Sequence, residues 1–162
     1  MITLRKIDPS DLPYLYQWDN DASSWADSDT ANPLSKQDLK DYIESTTGDI
    51  YKDGQLRLVI MADEMTIGSV ELFHLDARNS KVEVGVYIAP DFRGKGYATE
   101  ALKKVEDYVY GFLHLKLIYA FTRFRNVASA RLFSKRAFEP SSVLRHWTAE
   151  GDGLLWLKYK NL

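Results

Sequence analysis

The chain of 162 residues contains no cysteine, carries almost no net charge and has no long hydrophobic run. Without cysteine it cannot form a disulfide, use a thiol nucleophile or bind a metal through thiolates. The formal net charge of −2 favours neither nucleic acid nor an acidic membrane surface as a partner. No apolar segment is long enough to span a bilayer, and no signal-peptide pattern is present. We therefore expect a cytoplasmic protein that binds neither nucleic acid nor a membrane.

Familiar catalytic signatures are absent as well. The three histidines (His74, His114 and His146) are far apart in the sequence and fit no HExxH-type metal site. No Gly-x-Ser-x-Gly segment marks a hydrolase nucleophile. We expect no bound metal and assign the histidines no role. A content of 45% hydrophobic and 27% charged residues is ordinary for a globular protein, and the length suits one domain over 1–162.

The segment 82–112 organises the rest of the chain. Val82, Val84, Val86 and Ile88 alternate with other residues, which is typical of a β-strand, and Pro90 ends the strand. An apolar stripe with three- and four-residue steps then predicts a long amphipathic helix. The stripe consists of Ala98, Leu102, Val105, Val109 and Phe112.

Between this strand and this helix lies a glycine-rich, basic loop from Arg93 to Ala98. Glycine allows close backbone approach, and the start of a helix presents unpaired amide groups and a positive dipole end. The pattern indicates a phosphate-binding loop; the alternative is an ordinary turn with surface cations. It is not a P-loop, because Gly96 rather than Ser or Thr follows Lys95. It is not a dinucleotide fingerprint either, because Thr99 stands where Gly or Ala is required.

The remaining elements predict one mixed α/β domain. Strands are expected at 2–7, 56–62, 66–75, 82–89, 115–122, 143–148 and 154–160, and helices after the caps Asp8, Ser35 and Asn126. Leu15 and Tyr16 should face inward from the first helix, and 48–54 should be a loop. Strands two to four should form an antiparallel meander, and the strand–helix–strand unit 82–122 a parallel crossover.

Two motifs at the right separation carry a family resemblance. Arg-x-x-Gly-x-Ala at Arg93, Gly96 and Ala98 resembles the pyrophosphate loop of the GNAT superfamily of acyl-CoA-dependent N-acetyltransferases. Asn126-Val127-Ala128-Ser129 followed by Lys135-Arg136-Ala137-Phe138 resembles the Asn-x-x-Ser…Lys-x-Gly-Phe element of the ribosomal-protein N-terminal-alanine acetyltransferases, with the spermidine acetyltransferases nearby. The resemblance implies an α/β (α+β) GNAT fold with about six to seven strands and about four helices.

The resemblance also implies where acetyl-CoA binds. Backbone groups of Val86 and Ile88 would pair with the pantetheine arm, and the amides of Arg93, Gly94, Lys95, Gly96, Tyr97, Ala98 and Thr99 would hold the pyrophosphate. Asn126 would hydrogen-bond the pantetheine amides through its side chain. From the residue alone, Asn126 is equally well explained as a helix cap.

Acetyl transfer needs a base, a polarised thioester carbonyl and a proton for the leaving thiolate. Glu83 matches the position of a family glutamate that acts through water; otherwise it is an exposed strand carboxylate. Glu71 on the neighbouring strand is the reserve base or a substrate-binding carboxylate, and the Ile88 amide would polarise the carbonyl. Ser129 matches a serine that hydrogen-bonds the thiol. Phe133 departs from the family pattern, because many relatives carry a general-acid tyrosine there.

An acidic segment around Trp25 is the last candidate. It contains Asp19, Asp21, Asp27 and Asp29, and is either a solvated loop or a lip that attracts a cationic amine and stacks it on Trp25.

The function expected from these residues is transfer of acetyl from acetyl-CoA directly to a primary amine in a ternary complex. A protein or peptide N-terminus is the first expected substrate, a polyamine the second and an aminoglycoside-like amine the third. The alternatives are a non-catalytic acyl-CoA-binding module and a purely structural domain. We expect a monomer or a homodimer.

Overall fold

The chain forms a seven-stranded mixed sheet in the order β1-β2-β3-β4-β5-β7-β6. The structure is a computed structural model and describes residues 1–25, 27 and 32–161. The strands are β1 (Ile2–Lys6), β2 (Leu56–Ala62), β3 (Met65–Asp76), β4 (Lys81–Ile88), β5 (Leu117–Arg123), β6 (Glu139–Thr148) and β7 (Gly151–Tyr159). The meander of β2, β3 and β4, the parallel pairing of β4 with β5 and the final hairpin are confirmed.

Six α-helical segments lie in the described part of the chain, and four of them have eight residues or more. They are α1 (Leu12–Asp19), α2 (Ala22–Trp25), α3 (Lys36–Ser45), α4 (Ile50–Asp53), α5 (Tyr97–Asp107) and α6 (Val127–Lys135). The predicted caps Asp8, Ser35 and Asn126 each accept a hydrogen bond from a backbone amide at the start of a helix. Asp8 caps a short 3₁₀ turn (Pro9–Asp11) that leads into α1.

Two predictions about the extent of helices are wrong. The segment 48–54 contains α4, because the Asp49 carboxylate caps its first amides and Gly54 ends it in a left-handed conformation. The helix after Pro90 does not carry its apolar stripe to Phe112. From Tyr108 to Phe112 the chain forms a π-helical turn, in which Leu113 N donates to Tyr108 O. Phe112 is consequently exposed and stacks on Tyr108.

The sheet is covered on both faces by different elements. The side chains of Val82, Val84 and Ile88 lie in the larger core, which α5 shares through Leu102 and Val105. The opposite face carries α1 and α3, whose Leu15, Trp18, Leu39 and Ile43 form a second cluster with Val59 of β2. Tyr16 is exposed rather than inward-facing, and Trp18 takes the buried position on α1. Glu71 of β3 and Glu83 of β4, the candidate carboxylates, alternate with residues of the larger core and therefore lie on the face that α1 and α3 cover.

Candidate active site

The sheet opens between β4 and β5. The two strands pair only over Lys81–Glu83 and Leu117–Tyr119, at their amino-terminal ends. Beyond these residues β4 stays paired with β3 up to Ile88, and β5 stays paired with β7 up to Arg123. Among the described residues no pairing joins Val84–Ile88 to β5. Because the carboxyl ends of parallel strands meet at one edge of a sheet, this separation forms a crevice at that edge.

The backbone of β4 presents hydrogen-bonding groups to this crevice. Ala89 N donates to Ile67 O at 2.8 Å, so Ala89 and every second residue before it direct their backbone groups toward β3. Val84, Val86 and Ile88 consequently direct theirs toward the open side. The Ile88 carbonyl on that side accepts a hydrogen bond of 2.7 Å from Arg93 Nε. Val86 and Ile88, which the sequence suggested for pantetheine, thus have backbone groups that face the crevice.

The loop that follows β4 delivers the start of α5 to the same edge. Gly94 and Gly96 have φ values of +75° and +84°, and Gly96 is the residue immediately before α5. A Cβ at either glycine would meet nothing within 4 Å, so the backbone conformation and not a lack of space favours glycine. With Tyr97, Ala98 and Thr99 in the first turn, amide groups at this helix start are available to an anion.

Two exposed cations flank these amides. The Arg93 guanidinium lies 5.6 Å from the centre of the Tyr87 ring and is held on the Ile88 carbonyl. Lys95 Nζ donates to Asp91 O at 3.2 Å and lies 5.7 Å from the centre of the Phe92 ring. Both charges are therefore fixed beside the glycines, where they favour a phosphate group.

The start of α6 borders the crevice from the β5 side. Asn126 Oδ1 accepts from Ser129 N at 3.1 Å, so Asn126 is a helix cap. Its predicted contact with pantetheine, through the rest of the side-chain amide, stays a prediction. Ser129 is half-buried in the first turn of α6, whereas Phe133 one turn later is buried against Phe138 and Trp156.

Glu83 lies in the short stretch where β4 and β5 still pair, directly before the strands separate. Its side chain is 13% exposed, so it is not the exposed strand carboxylate that the sequence left open. Its Oε2 lies 2.6 Å from Nδ1 of His74 on β3. Burial and the charges of Glu83 and Asp76 raise the pKa of the neighbouring Tyr119. Glu83 is thus a largely covered carboxylate at the inner end of the crevice.

Trp25 and Glu71 belong to one connected group. The Arg57 side chain is only 7% exposed, forms two hydrogen bonds of 2.8 Å with the Asp19 carboxylate and contacts Ser69 Oγ. Its Nε also lies 3.4 Å from Glu71 Oε1, and the Glu71 side chain is 49% exposed. Asp19 accepts a further bond at its backbone carbonyl, from the Trp25 indole at 2.9 Å.

The acidic lip is therefore only partly solvated. Asp19 is paired with Arg57, and the pKa of Asp21 is lowered by hydrogen bonds from Ser23, with Arg93 also contributing. Asp27 lines an open cleft of about 640 Å³ that continues to Asn126 at the start of α6. Asp29 lies outside the described residues.

No group of three His, Cys, Asp or Glu residues that could hold a metal ion occurs in the described ranges. The expectation of a metal-free protein stays a prediction. Within the same ranges, none of the helices is long and apolar enough to cross a membrane.

A known enzyme family matches this chain. Residues 1–139 match the family model described as "Acetyltransferase (GNAT) domain". The chain therefore belongs to the GNAT family and is an N-acetyltransferase.

The chain is similar to two kinds of acetyltransferase within this family. The chain is 28% identical over 148 residues to spermidine N(1)-acetyltransferase of Escherichia coli (strain K12), covering 90% of this chain and 76% of that protein. It is 36% identical over 59 residues to the putative ribosomal N-acetyltransferase YdaF of Bacillus subtilis (strain 168), covering 36% and 32%. A crystal structure of spermidine N-acetyltransferase from Vibrio cholerae with CoA and spermine superposes with a TM-score of 0.89 at 21% identity, covering 98% and 95%.

Three residues of the candidate site are not evident from the sequence. In the sequence Asp19 is one charge of the acidic lip, and Arg57 belongs to no motif. A cation between Leu56 and Leu58 in a strand covered on both faces needs a buried partner, which is a signal that could have identified Arg57. His74 was given no role, and only the fold brings its ring to Glu83.

Proposed function

We propose that the whole chain, 1–162, is one domain that transfers acetyl from acetyl-CoA to a primary amine bound in the crevice between β4 and β5. The observation that carries this proposal is the edge of Val84–Ile88, which no described residue of β5 pairs and which leads through the short turn Pro90–Phe92 to a glycine loop and a helix start. An extended amide-containing arm can add to such an edge as another strand, and a pyrophosphate suits the helix start.

The residues present fit acetyl-CoA. Val86 offers a backbone donor and acceptor and Ile88 a backbone donor, its carbonyl being bound by Arg93. The left-handed Gly94 and Gly96 expose amides next to Arg93. Asn126 caps α6, the helix that follows β5 on the other side of the crevice. When bound, acetyl-CoA supplies the acetyl group as a reactive thioester.

The chain's own residues then carry the chemistry. Glu83 takes a proton from the substrate ammonium, directly or through a water molecule, and so frees the nitrogen lone pair. The Ile88 amide, which faces the crevice, stabilises the negative charge that develops on the carbonyl oxygen. Ser129 hydrogen-bonds the departing sulfur. No thiol is present to form an acyl-enzyme through cysteine, which agrees with direct attack.

For the amine we propose a polyamine-type small cation, which reverses the order expected from the motifs. The spermidine acetyltransferase of Escherichia coli matches most of this chain, whereas the ribosomal relative matches about a third of it. Glu71, half exposed and linked to Asp19 through Arg57, offers carboxylate oxygens to a second ammonium group. A peptide N-terminus is the second candidate, supported by the Asn126 and Ser129 element. Cytoplasmic location and a monomeric or homodimeric state stay predictions.

Calorimetric titration with acetyl-CoA tests the cofactor site. Gly96→Trp should abolish binding, because a bulky side chain would occupy the anion site and strain a left-handed position. Gly54→Trp is the matched control: Gly54 has a φ of +75°, its Cβ would also meet nothing within 4 Å, and it lies at the end of α4. Equal binding by Gly96→Trp and the native protein would refute the site.

An amine screen with mass detection of products tests the reaction. Acetylated spermidine or spermine without acetylated peptide supports the proposed substrate; acetylated peptide alone supports the second candidate. With the best amine, Glu83→Gln should lower kcat by about 10²–10⁴-fold and leave the affinity for acetyl-CoA unchanged. An unchanged kcat would remove Glu83 as the base.

A further inference from the structure

His74 occupies an irregular position in β3. The pairing of β3 with β4 shifts register between Phe73 and Asp76, and His74 has a φ of +51°. Such a bulge turns a side chain away from the direction that regular alternation would give it. Phe73 is the direct partner of Glu83, so in a regular strand residue 74 would point to the opposite face. The bulge instead brings the imidazole to the face that holds Glu83.

The imidazole connects Glu83 to solvent. His74 Nδ1 lies 2.6 Å from Glu83 Oε2, and the histidine side chain is 62% exposed whereas the glutamate side chain is 13% exposed. The ring is steadied by an edge-on contact with Phe73, with centroids 4.9 Å apart. In the Nε2–H tautomer Nδ1 can accept a proton from a protonated Glu83, and in the Nδ1–H tautomer it donates to the carboxylate. An imidazole can accept a proton at one ring nitrogen and release another from the second.

We infer that His74 is a positioning and proton-transfer residue, which returns to solvent the proton that Glu83 takes from the amine. The inference rests on the proposed function, in which Glu83 is the base. Acetylation of an ammonium group forms one C–N bond, breaks one C–S bond and releases two protons from nitrogen. One proton ends on the sulfur of CoA. The other passes from Glu83 to Nδ1 of His74 as Nε2 gives a proton to water, which restores the Glu83 carboxylate. The ring regains its starting tautomer by taking a proton from water at Nε2 and losing the Nδ1 proton to water, an exchange with no net gain or loss of protons.

Other titratable groups surround this pair. Tyr119 of β5 is the direct strand partner of Glu83, and burial together with the charges of Glu83 and Asp76 raises its pKa. A raised tyrosine pKa keeps the phenol protonated at neutral pH, so Tyr119 does not compete as a base. Asp76 lies 3.9 Å from Lys81, which offsets its charge. Among these groups, the exposed imidazole has both the contact with Glu83 and the access to water that proton transfer requires.

His74→Asn separates proton transfer from structure. Asparagine tolerates a positive φ and can still donate a hydrogen bond to Glu83, but it cannot relay a proton. His114→Asn is the matched control, because His114 has a φ of +57° and was assigned no part in the site. We expect kcat of His74→Asn to fall at least about tenfold, a part of what general acid–base catalysis contributes. Added imidazole should restore it, and His114→Asn should keep the native kcat and respond to no imidazole.

Three results would overturn the inference. The first is a native kcat in His74→Asn. The second is a loss that imidazole does not restore and that accompanies a drop in unfolding midpoint larger than in His114→Asn, which assigns a structural role. The third is a loss in His74→Asn while Glu83→Gln stays fully active, which separates His74 from Glu83 and leaves the transferase proposal intact.

A measurement independent of activity examines the contact itself. The imidazole NMR signals of His74 should change in Glu83→Gln, whereas those of His114 should not. Unchanged His74 signals would contradict the inference even if no amine were acetylated.

Discussion

The buried pair of Arg57 and Asp19 should determine both stability and amine binding. Arg57→Met removes the guanidinium and keeps much of the aliphatic length that packs in the sheet. The change breaks two hydrogen bonds of 2.8 Å to an Asp19 side chain that is 17% exposed. That carboxylate is then left largely covered without its cation. The substitution also removes the contact between Arg57 and Glu71. Because Asp19 loses its partner, the segment whose carbonyl binds the Trp25 indole becomes less rigid.

The magnitude follows from the burial of the two partners. Removing one partner of a buried ion pair typically costs about 3–5 kcal/mol. In a chain of this size that cost corresponds to a fall in melting temperature of about 6–20 °C. Glu71→Gln should cost only about 0–1 kcal/mol, because the Glu71 side chain is half exposed and its contact with Arg57 is 3.4 Å long. The two variants of one network should therefore differ clearly.

Urea unfolding and steady-state kinetics provide the assay. Arg57→Met should raise KM for the amine and leave KM for acetyl-CoA near the native value. Arg5→Met is the matched control, because Arg5 makes the same pair of 2.8 Å bonds with the buried Asp11, away from the crevice. It should destabilise the protein without changing KM for the amine. A loss of less than about 1 kcal/mol in Arg57→Met would refute the reasoning about the buried pair.

Three further predictions concern other parts of the chain. Ala137 has a φ of +59° at the end of α6, where Phe138 N donates to Phe133 O, and glycine adopts this left-handed conformation without strain. Ala137→Gly should therefore raise the free energy of unfolding by about 1 kcal/mol in urea titrations, and an unchanged midpoint would contradict this. Hydrogen bonds from Ser35 lower the pKa of Asp38 below its ordinary value of 3.8. The stability that the ionised Asp38 contributes is therefore fully present above pH 3.8 and is lost as the pH falls through the lower pKa of the folded protein. In Asp38→Asn that part of the acid dependence of the urea midpoint should disappear. Glu106→Gln should lower the melting temperature by several degrees in a thermal scan, because the buried Glu106 carboxylate binds Arg136 and Lys158 at 2.7 Å. A native melting temperature would show that the charge of Glu106 does not stabilise the fold.

Local patterns predicted most of the fold. Alternation identified β4, the caps Asp8, Ser35 and Asn126 identified helix starts, and the glycine spacing after Pro90 identified the loop before α5. Each of these features is determined by residues close together in the chain, so it can be predicted from the sequence. The π-helical turn at Tyr108–Phe112 was not predictable in this way, because the apolar spacing continues through it unchanged.

The side-chain contacts of the site depend on residues distant in the sequence. Arg57 and Asp19 are 38 residues apart, and their pairing requires α1 to lie on the sheet next to β2. His74 and Glu83 are near in sequence, but their contact depends on a β-bulge that no glycine, proline or asparagine next to His74 indicates. Glu83 could be proposed as a base from a family motif, whereas its covered environment and its imidazole partner required the fold.

The replacement of a family tyrosine by Phe133 bears on the second proton of the reaction. Phe133 has no exchangeable proton and is buried against Phe138 and Trp156, so it cannot protonate the departing sulfur. Ser129 lies one turn earlier on the same side of α6. Its hydroxyl can give a proton to sulfur only if it receives another proton, because a serine alkoxide is not stable near neutral pH. The substrate nitrogen still carries its second proton after attack, and passing that proton through Ser129 to sulfur leaves the hydroxyl unchanged. In the proposed reaction both protons therefore originate from the amine, one leaving through Glu83 and His74 and the other through Ser129, and no tyrosine acid is needed.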